Sequence, residues 1–166
     1  MNSITFKGNP VHISGSLPKV GEKAPAFSLI KTDLSSAELK DFQGKKIILN
    51  IFPSLDTSVC ATSVRKFNKD ITAYENAVVL CISKDLPFAH SRFCVAEGIN
   101  NVITLSEYGN NNFSESYGVL MTDGPLKNLM ARAIVVINEK GIVTYTELVP
   151  EIAQEPNYQA AENAIK

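Results

Sequence analysis

Cysteine and histidine are both scarce in this chain of 166 residues. The three cysteines, Cys60, Cys81 and Cys94, are an odd number and too few for a structural disulfide framework. They form no C-x-x-C pair, which excludes a thioredoxin-type dithiol and a zinc ribbon. The two histidines are His12 and His90. His90 and Cys94 could share a helix face, but no convincing further ligand accompanies them, so we expect no metal site.

Neither sign of charge is in excess, and long hydrophobic runs are absent. The formal net charge is −1 and no basic stripe is concentrated in the sequence, which argues against nucleic acid as the main partner. No apolar run approaches the roughly 20 residues of a membrane span. Residues 1–8 show no charged start followed by an apolar core, so no secretory signal is visible. These absences predict a cytoplasmic protein with no membrane partner, in a compartment that keeps spare thiols reduced.

Segments typical of strands alternate with segments typical of helices along most of the chain. No repeat or linker divides the sequence, so we predict one domain over residues 1–166. A strand at 47–52, a helix at 58–74 and a strand at 77–83 predict a right-handed parallel β-α-β unit. Further strands are predicted at 3–7, 11–13, 26–30, 102–105, 133–138 and 142–148, and further helical segments at 38–42, 87–97, within 106–116 and at 156–165.

These elements predict an α/β fold of the thioredoxin-like kind, with a mixed central β-sheet flanked by helices on both faces. The turn-forming cluster Gly8-Asn9-Pro10 lies between the first two strands and predicts an added N-terminal β-hairpin. Asp85 is predicted to cap the helix at 87–97, and Gly98 to end it.

Cys60 lies where a buried strand ends and an amphipathic helix begins. In the first turn of a helix, unpaired backbone N–H groups and the positive end of the dipole favour the thiolate, the reactive form of cysteine. The position is equally compatible with a small buried core residue. Position alone leaves both interpretations open. Cys81, in contrast, lies inside a continuous apolar strand and is interpreted as core filling.

The residues around Cys60 match a known active-site pattern. The motif Pro53-x-x-x-Thr57-x-x-Cys60 is that of the peroxiredoxins, and the wider text of residues 50–68 closely resembles the bacterial thiol peroxidase subfamily. The resemblance covers nearly the whole chain, because further matching motifs follow in order at 79–88, 92–98, 123–127, 129–133 and 155–158.

The resemblance implies an antioxidant enzyme, an atypical 2-Cys peroxiredoxin that reduces hydrogen peroxide and organic hydroperoxides. Cys60 would be the peroxidatic thiolate, which attacks the peroxide and becomes a sulfenic acid. Cys94 would be the resolving thiol, which forms an intramolecular disulfide with Cys60. Thr57 would hold the thiolate and the peroxide by hydrogen bonds, and Pro53 would shape and shield the pocket wall. Arg132 would favour the thiolate and stabilise charge on the peroxide oxygens.

The source of electrons lies outside the chain on this interpretation. No flavin or nicotinamide fingerprint is present, so no cofactor is expected. The resemblance implies thioredoxin as the electron donor and a homodimer as the working form. Two residues depart from the expected pattern: Val95 replaces a glycine after the resolving cysteine, and His90 replaces a glutamine. They bear on rates and not on the activity.

Alternative interpretations remain open at this point. Thr57 could serve only as a helix cap, Arg132 as a solvated strand-end charge, and Cys94 as a second buried cysteine. A binding module with inert thiols on the same fold is a second candidate function, and a cysteine hydrolase, which needs a histidine base such as His90, is a third. Disulfide formation requires Cα atoms within about 7 Å. We therefore expect local unwinding of the Cys60 and Cys94 helices during turnover.

Overall fold

The computed structural model describes residues 2–166, and strands alternate with helices between residues 46 and 137. The strands are β1 (Ser3–Phe6), β2 (Asn9–His12), β3 (Ser28–Ile30), β4 (Ser36–Glu38), β5 (Lys46–Ile51), β6 (Ala77–Ser83), β7 (Ile103–Ser106), β8 (Ala133–Ile137) and β9 (Val143–Leu148). The helices are α1 (Ser58–Asp70), α2 (Pro87–Glu97), α3 (Asn112–Ser116) and α4 (Tyr158–Asn163), with 3-10 turns at Leu39–Phe42 and Ile71–Ala73.

A mixed sheet is the centre of the molecule. Across residues 2–166 its strand order is β4-β3-β7-β6-β5-β8-β9, and β1 and β2 form a separate antiparallel pair. The strands β5, β6 and β7 are parallel to one another, and the remaining neighbours are antiparallel. The predicted mixed central sheet and the predicted N-terminal hairpin are both confirmed.

Two hydrophobic clusters cover the two faces of this sheet. Along β5, Ile47, Leu49 and Ile51 belong to one cluster and Ile48 to the other, as the period of two along a strand requires. The cluster that contains Ile48 also receives apolar residues of α1, α2 and α4, whereas the other receives the hairpin and α3. Because both faces are covered, the central strands are continuously apolar. Each fully buried aliphatic side chain stabilises the fold by about 1.5–3 kcal/mol relative to exposure.

The two helices that carry the predicted redox cysteines follow the sequence pattern closely. In α1, the buried Val64 and Phe67 alternate with the exposed Arg65 and Lys66. The predicted helix to residue 74 ends earlier, since α1 gives way to a 3-10 turn after Asp70.

Helix α2 ends as predicted and begins differently. Gly98 closes it in the left-handed conformation, with φ at 64°. The prediction that Asp85 caps α2 is wrong, because the N-cap is Leu86 and no side chain makes a capping bond. The Asp85 carboxylate is instead engaged by Ser54 and Leu55 in the loop before α1. Propensity favours a capping aspartate there, but buried donors from another segment compete for the same oxygens.

Strand β4 was not predicted from the sequence. It spans Ser36–Glu38 and pairs with β3. A three-residue strand is too short to show a hydrophobic period, so only its pairing reveals it. None of the helices between residues 2 and 166 is long and apolar enough to cross a membrane.

Candidate active site

The junction between β5 and α1 carries three of the predicted site residues. Strand β5 ends at Ile51, and α1 begins at Ser58. Thr57 precedes the helix with an extended backbone, at φ −102° and ψ 144°. Cys60 lies in the first turn of α1 and is fully buried. Pro53 is buried in the connecting loop, and Thr57 is exposed.

Thr57 starts α1 through its backbone and not through its side chain. The first helical hydrogen bond runs from Ala61 N to Thr57 O at 3.0 Å, so the N–H groups between them precede the helical ladder. The Thr57 hydroxyl makes no capping bond and donates to the Ser54 carbonyl at 3.1 Å. Interpreting Thr57 as a side-chain cap is therefore wrong. Because no side chain caps the helix, the first N–H groups of α1, including that of Cys60, remain available to a ligand.

Strand register brings Arg132 to the same junction, although it lies 72 residues beyond Cys60. Strands β5 and β8 are antiparallel neighbours in which Ile51 faces Ala133. The residue just before β8 therefore lies beside the end of β5. Arg132 is only 1% exposed, and its Nη2 donates to Cys60 Sγ at 3.2 Å. Interpreting Arg132 as a solvated strand-end charge is wrong.

The guanidinium of Arg132 is also fixed from another side. Its Nε donates to the Ile152 carbonyl at 2.9 Å, whereas its Nη1 has no acceptor among residues 2–166. No ion pair found in that part of the chain includes Arg132. A buried cation without a carboxylate needs another anionic or strongly polar partner. The arrangement is suited to negative charge at Sγ and to a polar ligand at Nη1.

Cys94 lies on α2, away from this contact. It is half-buried, its Sγ is 3.8 Å from Thr104 Oγ1, and burial raises the pKa of its thiol. Together with Lys31, Ser91 and Ile103 it lines a pocket of about 330 Å³. All three cysteines have free thiols. The structure therefore brings Arg132 to Cys60 but does not bring Cys94 there.

Cys81 has the features of a core residue. It is fully buried in β6, with Asn50 Nδ2 at 3.7 Å from its Sγ. Burial raises the pKa of the Cys81 thiol to about 12, which keeps it protonated at neutral pH. The prediction that it fills the core is consistent with this environment.

Neither histidine acts on Cys60 in this structure. His90 is buried, and its Nε2 is 2.9 Å from Ser83 Oγ. His12 lies in the N-terminal hairpin and pairs with Asp123 at 2.6 Å. A cysteine hydrolase needs a histidine base at its nucleophile, so the hydrolase interpretation finds no support. Within residues 2–166, no group of three or more potential metal ligands occurs.

Sequence reasoning missed two residues that support the site. Ser54 accepts hydrogen bonds from the Thr57 N–H at 3.2 Å and from its hydroxyl. Asp85 accepts from Ser54 Oγ at 2.7 Å and from Leu55 N at 2.8 Å. The only local signal was that both polar residues lie in turns that directly follow strands. That signal indicates a turn but does not identify the partner.

Comparisons with known proteins identify the relatives of this chain. The family model described as Redoxin matches residues 19–162. A thiol peroxidase of Corynebacterium glutamicum is 54% identical over 156 residues, which is 94% of each chain. A thiol peroxidase of Mycobacterium bovis is 56% identical over 161 residues, covering 97% of this chain and 96% of the relative. A solved peroxiredoxin-like protein from Aquifex aeolicus has a TM-score of 0.93 at 39% identity, covering 99% of this chain and 96% of that chain.

Proposed function

The chain belongs to the Redoxin family and is a peroxiredoxin of the thiol peroxidase type, and we propose that its reacting sulfur is that of Cys60. The observation that supports this most directly is the contact of 3.2 Å between Arg132 Nη2 and Cys60 Sγ. A permanent cation at that distance stabilises a thiolate relative to a thiol. The first-turn N–H groups of α1 add to the same effect.

The first step is proposed as an in-line displacement on the peroxide. The thiolate of Cys60 forms an S–O bond as the O–O bond breaks, which gives a sulfenic acid and an alkoxide or hydroxide that takes up a proton. Sulfur loses two electrons and the peroxide gains them. The Nη1 of Arg132, which has no acceptor among residues 2–166, would donate to a peroxide oxygen as charge develops there. Thr57 and the buried ring of Pro53 would border the bound peroxide.

The second step joins two sulfurs. The Cys94 thiol attacks the sulfenic sulfur of Cys60, which forms the disulfide and releases water. Because Cys94 contacts Thr104 and not Cys60, the two helices must rearrange first. A thioredoxin-type dithiol then returns two electrons to the disulfide. This cycle needs no organic cofactor or metal.

The homodimer proposed for this protein rests on the resemblance to the peroxiredoxins. We propose a single domain that works as a homodimer in the cytoplasm. Light scattering of the reduced protein at micromolar concentration tests the dimer, and a monomer mass would contradict it.

Three cysteine variants test the roles of the sulfurs. In a coupled assay with thioredoxin, its reductase and NADPH, Cys60→Ser should abolish peroxide consumption, while Cys81→Ser, the matched control, should retain it. Cys94→Ser should permit one oxidation of Cys60 without a disulfide. Peptide mapping after one equivalent of peroxide should join Cys60 to Cys94 in wild type. Full activity of Cys60→Ser would refute the assignment, and a disulfide to Cys81 would move the resolving role.

A further inference from the structure

Asp85 is a hydrogen-bond acceptor for the loop that carries Cys60. Its Oδ1 accepts from Ser54 Oγ at 2.7 Å, and its Oδ2 accepts from Leu55 N at 2.8 Å. Ser83 Oγ also donates to Oδ2, at 2.6 Å. The Asp85 side chain is only 11% exposed. A carboxylate removed from water in this way depends on these donors for its stabilisation.

The loop bonds of Asp85 extend to the start of α1. The carbonyl of Ser54 accepts from both the N–H and the hydroxyl of Thr57. Thr57 is in turn the N-cap residue of α1, in whose first turn Cys60 lies. A continuous set of hydrogen bonds therefore runs from Asp85 through Ser54 to Thr57. Movement of Asp85 or loss of its charge would alter the position of the first turn of α1.

Asp85 is also connected, through the chain and through Ser83, to the helix that carries Cys94. It stands directly before Leu86, the N-cap of α2. Ser83, which donates to the carboxylate, also contacts Nε2 of the buried His90 on α2 at 2.9 Å. The aspartate thus joins the entry of α2 to the entry of α1.

We propose that Asp85 is a positioning residue for peroxide reduction, which holds the Cys60 loop in its peroxide-reactive conformation and opposes the rearrangement that brings Cys60 to Cys94. This inference rests on the proposed function, because it assumes that both cysteines react. Two exposed ion pairs run between the same segments, Arg65–Glu97 at 3.0 Å and Arg92–Asp56 at 3.4 Å. Exposed pairs of this kind contribute little, so the buried carboxylate is the stronger link.

The variant Asp85→Asn tests the proposal, because it keeps the shape and removes the charge that the three donors share. Rapid quenching with alkylation and mass spectrometry can follow sulfenic acid formation and disulfide formation separately. We expect the bimolecular reaction of Cys60 with hydrogen peroxide to slow about tenfold, since the loop is less well held. We expect disulfide formation to accelerate by a similar factor, and over-oxidation to sulfinic acid at high peroxide to decrease.

Glu107→Gln is the matched control. Glu107 is also a buried carboxylate, pairs with Lys84 at 2.9 Å and accepts from Ser114 N at 2.6 Å, but makes no bond to the Cys60 loop. This variant should leave the ratio of the rate of disulfide formation to the rate of sulfenic acid formation within about twofold of wild type. A ratio that stays at the wild-type value in Asp85→Asn, or both rates falling together, would overturn the proposal.

A second variant, Ser54→Ala, tests the same proposal in case Asp85→Asn does not fold. Ser54→Ala removes one donor to the carboxylate and leaves the bond from Leu55, so the same opposite changes should appear at a smaller size. Unchanged rates in a folded Ser54→Ala would overturn the proposal if Asp85→Asn cannot be produced. Failure of the proposed function looks different, because wild-type Cys60 would then form no sulfenic acid at all.

Discussion

At the level of single residues, the site is dominated by a buried cation that faces a buried sulfur. Arg132 has a fixed partner at Nε, a sulfur partner at Nη2 and no acceptor at Nη1 among residues 2–166. A lysine could not reproduce this arrangement, because it presents a single point charge in place of a planar fork of donors. The chemistry of Cys60 therefore depends on a residue that shares no local sequence with it.

Replacing Arg132 with methionine should separate activity from stability. The rate constant for peroxide with Cys60 at pH 7 should fall by about 10²–10³, the usual effect of losing one donor to developing charge. The free energy of unfolding in urea should change little, because an apolar side chain of similar size replaces a buried charge. Stopped-flow kinetics and urea titration measure the two effects. A variant that unfolds but whose remaining folded fraction reacts normally would contradict this account.

His90 is a second buried residue whose surroundings change its chemistry, here by shifting its pKa. Desolvation lowers its pKa from the usual 6.5 to about 4, against the opposing effect of the Asp85 carboxylate. As pH falls below 6.5, the unfolded chain binds this proton before the folded chain does, so stability is lost between pH 6.5 and about 4. At pH 4.5 the loss from His90 alone is on the order of 2 kcal/mol.

The variant His90→Gln should remove that part of the acid sensitivity. We expect its free energy of unfolding to decline less than that of wild type between pH 7 and pH 4.5, by on the order of 2 kcal/mol. Urea titrations at the two pH values provide the measurement. Parallel pH profiles for the two proteins would show that His90 becomes protonated without cost.

At the level of elements, helix α2 ends at a glycine and carries an exposed valine next to Cys94. Gly98 ends the helix in the left-handed conformation, and its N–H bonds to the Cys94 carbonyl. Val95 is 81% exposed and so contributes to α2 mainly through its intrinsic helix propensity. Unwinding of α2 before disulfide formation should therefore depend directly on which residue occupies position 95.

A series at position 95 tests this dependence. Relative to valine, glycine should destabilise α2 by about 0.4 kcal/mol and alanine should stabilise it by about 0.6 kcal/mol. The rate of disulfide formation should therefore be about twofold higher in Val95→Gly and two- to threefold lower in Val95→Ala. The reaction of Cys60 with peroxide serves as the internal control and should not change. A rate order other than Gly, Val, Ala would argue against unwinding of α2.

At the level of the whole molecule, the N-terminal hairpin supports the active site from the far end of the sequence. Thr5 exchanges main-chain hydrogen bonds with the segment at 150–152, by Thr5 N to Pro150 O at 2.8 Å and Ile152 N to Thr5 O at 2.9 Å. The carbonyl of the same Ile152 fixes Nε of Arg132. The hairpin is thus part of the framework that holds the guanidinium against Cys60.

The N-terminal segment also passes very close to Gly118. A Cβ at position 118 would lie 2.3–2.6 Å from backbone atoms of Ser16, and the φ of Gly118 is +69°. Gly118→Ala should therefore destabilise the protein by about 3 kcal/mol or more, because backbone must move. Gly109→Ala is the control, since its φ is also positive, at +93°, but nothing lies within 4 Å. It should cost about 1 kcal/mol. Equal losses in urea titration would contradict the clash.

Much of the fold was accessible from the sequence, because the short apolar run of β5 and the helical spacing of α1 are both contained in a few neighbouring residues. The end of α2 at Gly98 was predictable for the same reason. The three-residue β4 and the true partner of Asp85 were not, since neither is decided by nearby residues.

The amino-acid order alone was enough to place Cys60 at the start of a helix after a buried strand, and to identify the pattern around it as that of the peroxiredoxins. It did not determine that Arg132 Nη2 lies 3.2 Å from Sγ, that Cys94 rests against Thr104, or that Asp85 bonds to the Cys60 loop. Helix starts and short apolar strands depend on residues that are close together in the sequence. Contacts between distant segments depend instead on the register of β5 against β8 and on which buried donors reach a carboxylate first, and only the packed chain settles both.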